Sequence, residues 1–147
     1  MHIGERFNSI THLVGAVLSV AGLATLVTMG ALQGDAYKVV SFAVYGAMLL
    51  VLYAISTLYH SVRNARVKAV LQKCDHSAIY LLIAGSYTPF SLVTLHGAWG
   101  WTLFGLNWGL AAASLPLFWR KVAAICQQQR KFSGLLKTLR RRAVNDD

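Results

Sequence analysis

The sequence is poor in charge, and acidic residues are the scarcest charged type. Only 13% of the 147 residues are charged, 56% are hydrophobic, and five Asp and Glu residues stand against 14 Lys and Arg. An ordinary soluble domain has about a quarter of its residues charged. This composition excludes such a domain and indicates an integral membrane protein.

Charge is completely absent from four stretches, residues 10–32, 39–59, 78–95 and 99–119. Each is close to the ~20 residues that an α-helix needs to cross the hydrocarbon core of a bilayer. One charge at the centre of a span would cost about 2.5 to 3.5 kcal/mol, so four clear windows are a strong signal. The sequence therefore predicts an all-α, polytopic bundle of four transmembrane helices over residues 1–119, followed by a basic tail over residues 120–147.

The basic residues are distributed unevenly between the two ends of the predicted spans. Thirteen lie before span one, between spans two and three, or after span four, and only Lys38 lies on the other side. The positive-inside rule then places both termini in the cytoplasm, which in a bacterium means a multi-pass protein of the inner membrane. This distribution argues against nucleic acid as a partner. Cys74 and Cys126 would face the reducing cytosol as free thiols.

The basic tail has eight Lys or Arg and three consecutive Gln in 28 residues, and it is too polar to span a membrane. Two interpretations are open. Part of it forms a basic amphipathic helix on anionic lipid headgroups, where each basic residue contributes about 1 kcal/mol of attraction. Alternatively, it is a solvated and largely disordered segment.

Two further features concern helix packing. Pro89 lies inside span three and leaves the carbonyl of Gly85 without its helical donor, so a kink is expected there, with Ser86 or Thr88 as a partial replacement. Gly105 and Gly109 have the spacing that permits close contact between membrane helices.

Span one carries a polar and small-residue stripe. Its members recur at alternating spacings of three and four and so share one helical face. Polar groups at such depth turn toward the protein interior, so this face should contact other helices. For His12 alone, hydrogen bonding between helices is the favoured interpretation. The stripe comprises Glu5, Asn8, His12, Gly15, Ser19 and Gly22.

Span two ends with Ser56 and His60, which are four residues apart and so share a face. After a basic connection, Asp75 opens span three at the same depth as His60. A neutral imidazole is a common zinc ligand, and a nearby carboxylate orients it or holds a zinc-bound water, whose pKa falls to about 7. Three ordinary roles compete with this one. Asp75 is the N-cap of span three, Ser56 bonds back to the carbonyl of Leu52, and His60 reaches the lipid headgroups.

The segments "ERFNSITHLVGAVLSVAGL", "STLYHS" and "KCDHSAIYLLIAGSYTPF" closely resemble the bacterial hemolysin III family. This family belongs to the progestin and adiponectin receptor superfamily, whose relatives include the alkaline ceramidases. The resemblance covers residues 4–119 and implies a seven-helix membrane protein with an internal zinc site. By resemblance, His60 matches the zinc ligand of the second helix, Asp75 the acid that holds the zinc-bound water, and Ser56 the polar neighbour one turn deeper.

The sequence also departs from the family pattern. Members carry a His-x3-His pair on a seventh helix, whereas no two of the five His residues here are three or four apart, and helices five to seven have no counterpart. The expectation is a truncated member with half of the zinc site, which binds zinc weakly or not at all. Three functions remain open: zinc-dependent hydrolysis of a lipid amide or ester, non-enzymatic membrane permeabilisation or homeostasis, and a remnant without a function of its own.

Overall fold

The computed structural model describes residues 3–145, with all side chains described from 4 to 117. Those residues form four α-helices and one π-helical segment, with no β-strand among residues 3–145. In chain order they are α1 (Ile3–Leu32), α2 (Ala36–Ser61), α3 (Ala65–Pro89), the π-helix (Phe90–Leu95) and α4 (Gly97–Asn145). The predicted all-α class is confirmed.

The α1–α2 hairpin is held together by small residues on facing sides of the two helices. A Cβ added at Gly46 would lie 2.9 Å from the Cβ of Leu23, and one at Gly15 would lie 2.7 Å from the ring of Tyr53. Between the contacts Gly15–Tyr53 and Leu23–Gly46 the chain advances eight residues along α1 and goes back seven along α2, so the two helices run antiparallel. Close approach without side chains between the backbones is the usual packing mode of membrane helices.

The α2–α3 connection is much shorter than the sequence predicted. Only residues 62–64 lie outside the helices, and the side chain of Asn64 caps α3 by accepting from the backbone N–H groups of Arg66 and Val67. Asp75 therefore lies inside α3, ten residues beyond its start, and its interpretation as the N-cap was wrong. The basic residues of this region do not stop the helix, because Lys and Arg are good helix formers and an Asn cap precedes them.

The Pro89 region changes helix type instead of only bending. The π-helix follows Pro89 directly, and π-helical turns commonly arise where a helix loses a regular hydrogen bond. The hydroxyls of Thr88 and Ser86 bond to the carbonyls of Ala84 and Ile83, so neither replaces the donor lost to Gly85.

The turn after the π-helix sends α4 back along α3. His96 and Gly97 both have positive φ, 45° and 68°, and α4 begins there. The indole Nε1 of Trp108 donates to Thr88 Oγ1 at 3.1 Å, which fixes the antiparallel direction. Gly105 and Gly109 have no atom within 4 Å of an added Cβ, so their spacing does not mark a helix contact here.

The chain divides into two compact units, residues 1–115 and 116–147. In the second unit the backbone is helical from Pro116 to Asn145, and the binding of this tail to lipid headgroups stays a prediction. Cys74 is a free thiol as predicted, and the side chain of Cys126 lies outside the described residues.

Three helices are long and apolar enough to cross a membrane: Gly4–Leu32, Ala36–Ser61 and Ala65–Leu95. Their outer faces expose large apolar side chains such as Leu18, at 65%, while the described interior is built largely from Ser, Thr, Ala and Gly. Soluble proteins bury their large apolar side chains, whereas this chain exposes them and buries small ones. Such an arrangement is typical of a membrane helical bundle. Residues 99–119 are helical, and their spanning of the membrane stays a prediction.

Candidate functional site

A polar cluster joins α1 and α2 near the end of the bundle where α2 turns into α3. His12 Nδ1 and Ser56 Oγ lie 2.6 Å apart, and Ser56 is only 4% exposed. The bond crosses between two helices, and the structure gives Ser56 this partner in place of the alternative bond to the carbonyl of Leu52. We call His12, Ser56 and His60 the histidine cluster.

His60 completes the cluster from one turn further along α2. Its ring centre lies 5.5 Å from that of His12 in an edge-on arrangement and 4.7 Å from that of Tyr59. Its Nδ1 atom is buried and has no hydrogen-bond partner. The residue as a whole is half-buried, so contact of its other ring nitrogen with the lipid headgroups stays a prediction. A buried nitrogen without a partner is costly and points to a missing ligand.

Asp75 lies near the cluster in height but is not bonded to it. Gly85 of α3 contacts Met48 of α2, since a Cβ added at Gly85 would touch the Met48 side chain. The two helices are antiparallel, so ten residues back from Gly85 and ten residues forward from Met48 give the same height. Asp75 is therefore level with Leu58. Asp75 is therefore within about one helical turn of His60. The hydrogen bonds and ion pairs of the described residues include none between these two side chains. The role of Asp75 as the acid of a zinc site stays a prediction.

The cluster is closed off by contacts on its α3 side. Glu5 of α1 forms an ion pair with Lys68 of α3, and the Lys68 ammonium also lies 5.4 Å from the centre of the Tyr59 ring. Ser9 and Ser61 are joined at 2.7 Å. These contacts join the starts of α1 and α3 to the end of α2, next to His60.

An apolar groove begins next to the cluster and follows the α1–α2 seam. Tyr53 lines the end of the groove nearest the cluster, and its ring contacts that of His12 with centres 5.9 Å apart. The groove has a volume of about 310 Å³, and its walls are Leu side chains and the small residues of the span-one stripe. The groove thus lies next to the polar cluster, and Tyr53 stands between the two.

The donor set fits a zinc ion only in part. The free Nδ1 of His60 suits one coordination position, and the ring of His12 is close enough to be a neighbour of a bound cation. However, the described residues contain no group of three or more His, Cys, Asp or Glu side chains that could hold one metal ion. Zinc sites in proteins use three or four protein ligands. The described residues do not complete such a site.

The fold and the cluster define a polytopic α-helical membrane protein with two half-buried, neighbouring histidines on its first two helices. Residues 2–135 match the family model described as Haemolysin-III related, and the chain belongs to that family. It is 48% identical over 111 residues to a Hemolysin-3 of Bacillus cereus and 45% identical over 111 residues to a Hemolysin-3 homolog of Bacillus subtilis.

Both alignments cover 76% of this chain but only 51% and 52% of the relatives. The chain thus spans about half the length of the curated relatives it matches. No solved structure matches it.

His12 is the cluster residue that the sequence did not assign to the site. The stripe predicted that His12 faces another helix, and this is confirmed, as it is for Glu5, Gly15 and Ser19. Asn8 is exposed, and Gly22 meets no atom. The signal that would have found the pair is the shared depth of His12 and Ser56 in an antiparallel hairpin, which the short α1–α2 turn already implied.

Proposed function

We propose that this hemolysin III-type membrane protein carries one half of a zinc-dependent hydrolase site that acts on lipid amides or esters. In this proposal His60 is a zinc ligand, Ser56 its polar neighbour, and Asp75 the acid that holds the water. The observation that carries the proposal is the buried, unpartnered Nδ1 of His60 beside the His12–Ser56 bond.

The residues of this chain have separate tasks in such a site. His12 holds the Ser56 hydroxyl in a fixed orientation at 2.6 Å. The groove along α1 and α2 gives an acyl chain an apolar path from the bilayer to the cluster. Zinc in such a site supplies hydroxide near neutral pH for attack on an amide or ester carbonyl.

The site is a half site because further ligands must come from outside the described residues. Sources are a second copy of the chain or the part of the longer relatives that this chain does not match. With one or two imidazoles, zinc binding by this chain alone is weak.

Zinc titration of the purified full chain in a neutral detergent, followed by calorimetry, tests the proposal. His60→Ala should weaken binding at least tenfold. His76→Ala is the matched control, since His76 is exposed and its Nδ1 bonds to the carbonyl of Gln72 in its own helix. Zinc binding of equal affinity by the wild type and by His60→Ala would refute the half site.

A second candidate function is non-enzymatic membrane permeabilisation or homeostasis. The observation in its favour is the name of the matched relatives, Hemolysin-3, together with the exposed apolar faces of the spanning helices. Dye leakage from vesicles that is unchanged by chelator and by His60→Ala would support this function. Leakage that requires His60 would argue against it.

A further inference from the structure

A small pocket lies at the opposite end of the bundle from the histidine cluster. It occupies about 140 Å³ where the N-terminus of α2, the π-helix and the N-terminus of α4 meet. From Tyr37 at this end to His60 the distance along α2 is roughly 35 Å at 1.5 Å per residue, so the two sites are separate. The pocket is lined by Tyr37, Ser91, Leu92, His96, Gly97 and Trp101.

Ser91 marks this pocket as a site for a ligand. The residue is 0% exposed, it lines the pocket, and its Oγ has no hydrogen-bond partner. A buried hydroxyl without a partner costs about 1–3 kcal/mol. An oxygen atom of a ligand in the pocket would remove that cost.

The backbone around Ser91 is packed too tightly to rearrange easily. A Cβ added at Gly100 would lie 2.3 Å from the Ser91 carbonyl oxygen, so α4 begins in direct contact with the π-helix. His96 holds a φ of 45°, which is uncommon for a residue other than Gly, and its Nδ1–H donates to the carbonyl of Leu92 at 2.7 Å. The His96 side chain thus links the turn before α4 to the π-helix.

The chemistry of the pocket favours an anion. The first N–H groups of a helix have no acceptor within the helix and carry a partial positive charge, and α4 begins at the pocket with Gly97. Ser91, Tyr37 and Trp101 each carry a side-chain donor, and the lining residues include no carboxylate. At the α2 start, Asp35 and Lys38 pair with each other at 3.7 Å, so this pair adds no net charge.

We propose that this pocket binds a phosphate group. Three side-chain donors and a helix N-terminus suit the several oxygens of a phosphate, and the volume is close to that of a cavity that holds a benzene-sized molecule. The pocket lies at the ends of the candidate spans, beside the exposed Trp99 and Trp101, at the depth where lipid headgroups meet water. The phosphate belongs either to a lipid headgroup or to free phosphate in solution.

Tryptophan fluorescence tests the proposal, because Trp101 lines the pocket. The full chain in maltoside micelles, which contain no phosphate, is titrated with inorganic phosphate at constant ionic strength. A saturable change is expected in the wild type, and chloride at equal ionic strength should give none. The absence of a saturable change would overturn the proposal, because the pocket would then hold only water.

Paired serine variants show whether the signal arises in this pocket. Ser91→Ala should weaken phosphate binding five- to tenfold. Ser41→Ala is the matched control, because Ser41 is also 0% exposed with an unpartnered hydroxyl but does not line the pocket. Tyr37→Phe keeps the ring and loses the hydroxyl, and it should also weaken phosphate binding. It replaces Ser91→Ala as the test variant if Ser91→Ala does not fold. Equal weakening by Ser41→Ala, or no weakening by either pocket variant, would overturn the proposal.

The source of the phosphate is distinguished in nanodiscs. If lipid headgroups occupy the pocket, free phosphate should change the fluorescence in discs of uncharged galactolipid and not in discs of phosphatidylglycerol. If free phosphate is the ligand, both discs should respond alike. A response in neither kind of disc contradicts both sources.

Discussion

At the scale of single residues, some polar side chains inside the bundle have a hydrogen-bond partner and others do not. Ser56 obtains its partner from His12 across the α1–α2 seam. His60 Nδ1 and Ser91 Oγ do not obtain one from the described residues. Because an unpaired buried polar atom lowers stability, each of the two is a candidate position for a ligand, whereas the unpartnered hydroxyl of Ser41 lines neither pocket described above.

The His12–Ser56 bond should be measurable as a coupling energy. In a double-mutant cycle of His12→Ala and Ser56→Ala, the unfolding free energies should deviate from additivity by about 0.6 kcal/mol, the average for hydrogen bonds between membrane helices, and by no more than about 1.7 kcal/mol. Reversible unfolding in mixed micelles provides the measurement. The cycle of His12→Ala with Ser41→Ala should be additive, and a zero coupling for the first cycle would mean that the bond does not contribute.

At the scale of helices, stability depends on how closely α1 and α2 approach each other. Gly46 faces the backbone of Leu23, with the Leu23 Cα only 3.1 Å from an added Cβ, whereas Gly22 faces open space. Both glycines lie inside a helix, but Gly46 is in close contact with the neighbouring helix and Gly22 is not.

Gly46→Ala should destabilise the hairpin by about 1–3 kcal/mol, because the backbones must move apart. Gly22→Ala should be neutral or stabilising by about 0.5–1 kcal/mol, because Ala favours a helix over Gly. Thermal unfolding of the two variants in the same detergent gives the comparison as Tm values. A lower Tm for Gly22→Ala than for Gly46→Ala would show that this seam is not the close contact described.

The helices themselves were predictable from the sequence, and their ends were less so. Uncharged windows located the apolar helices, and the polar stripe predicted the inward face of α1. The start of α3 was misplaced because a run of basic residues was interpreted as a loop, although Asn64 is a good cap and the residues after it are compatible with a helix. The short α1–α2 turn implied that His12 and Ser56 lie at the same depth. Which side chains point at each other across helices depends on packing, so the contact of Trp108 with Thr88 could not be derived from spacing alone.

At the scale of the whole molecule, the uneven distribution of basic residues predicts an orientation in the membrane. Lys38 lies in the first turn of α2, at the end of the bundle away from the histidine cluster, while Arg63 lies beside the cluster in the α2–α3 connection. We propose that the cluster end faces the cytoplasm, since five of the six basic residues before residue 116 lie at that end: Arg6, Arg63, Arg66, Lys68 and Lys73.

Cysteine labelling in intact cells tests this orientation. In a background with Cys74→Ser and Cys126→Ser, Lys38→Cys should react with a membrane-impermeant maleimide, and Arg63→Cys should react only after the cells are opened. Both positions lie at the ends of candidate spans, so each is the control for the other. The reverse pattern would mean that the molecule has the opposite orientation.

The central claim is that His60 offers a free imidazole nitrogen, beside His12 and Ser56, to a metal ion. Nitrogen NMR of the chain labelled at histidine, recorded during addition of zinc, measures this most directly. The account predicts that the ring nitrogen signals of His60 move first, those of His12 move next as its neighbour, and those of His76 and His96 stay in place. Movement of His76 or His96 alone, with His60 unchanged, would contradict it.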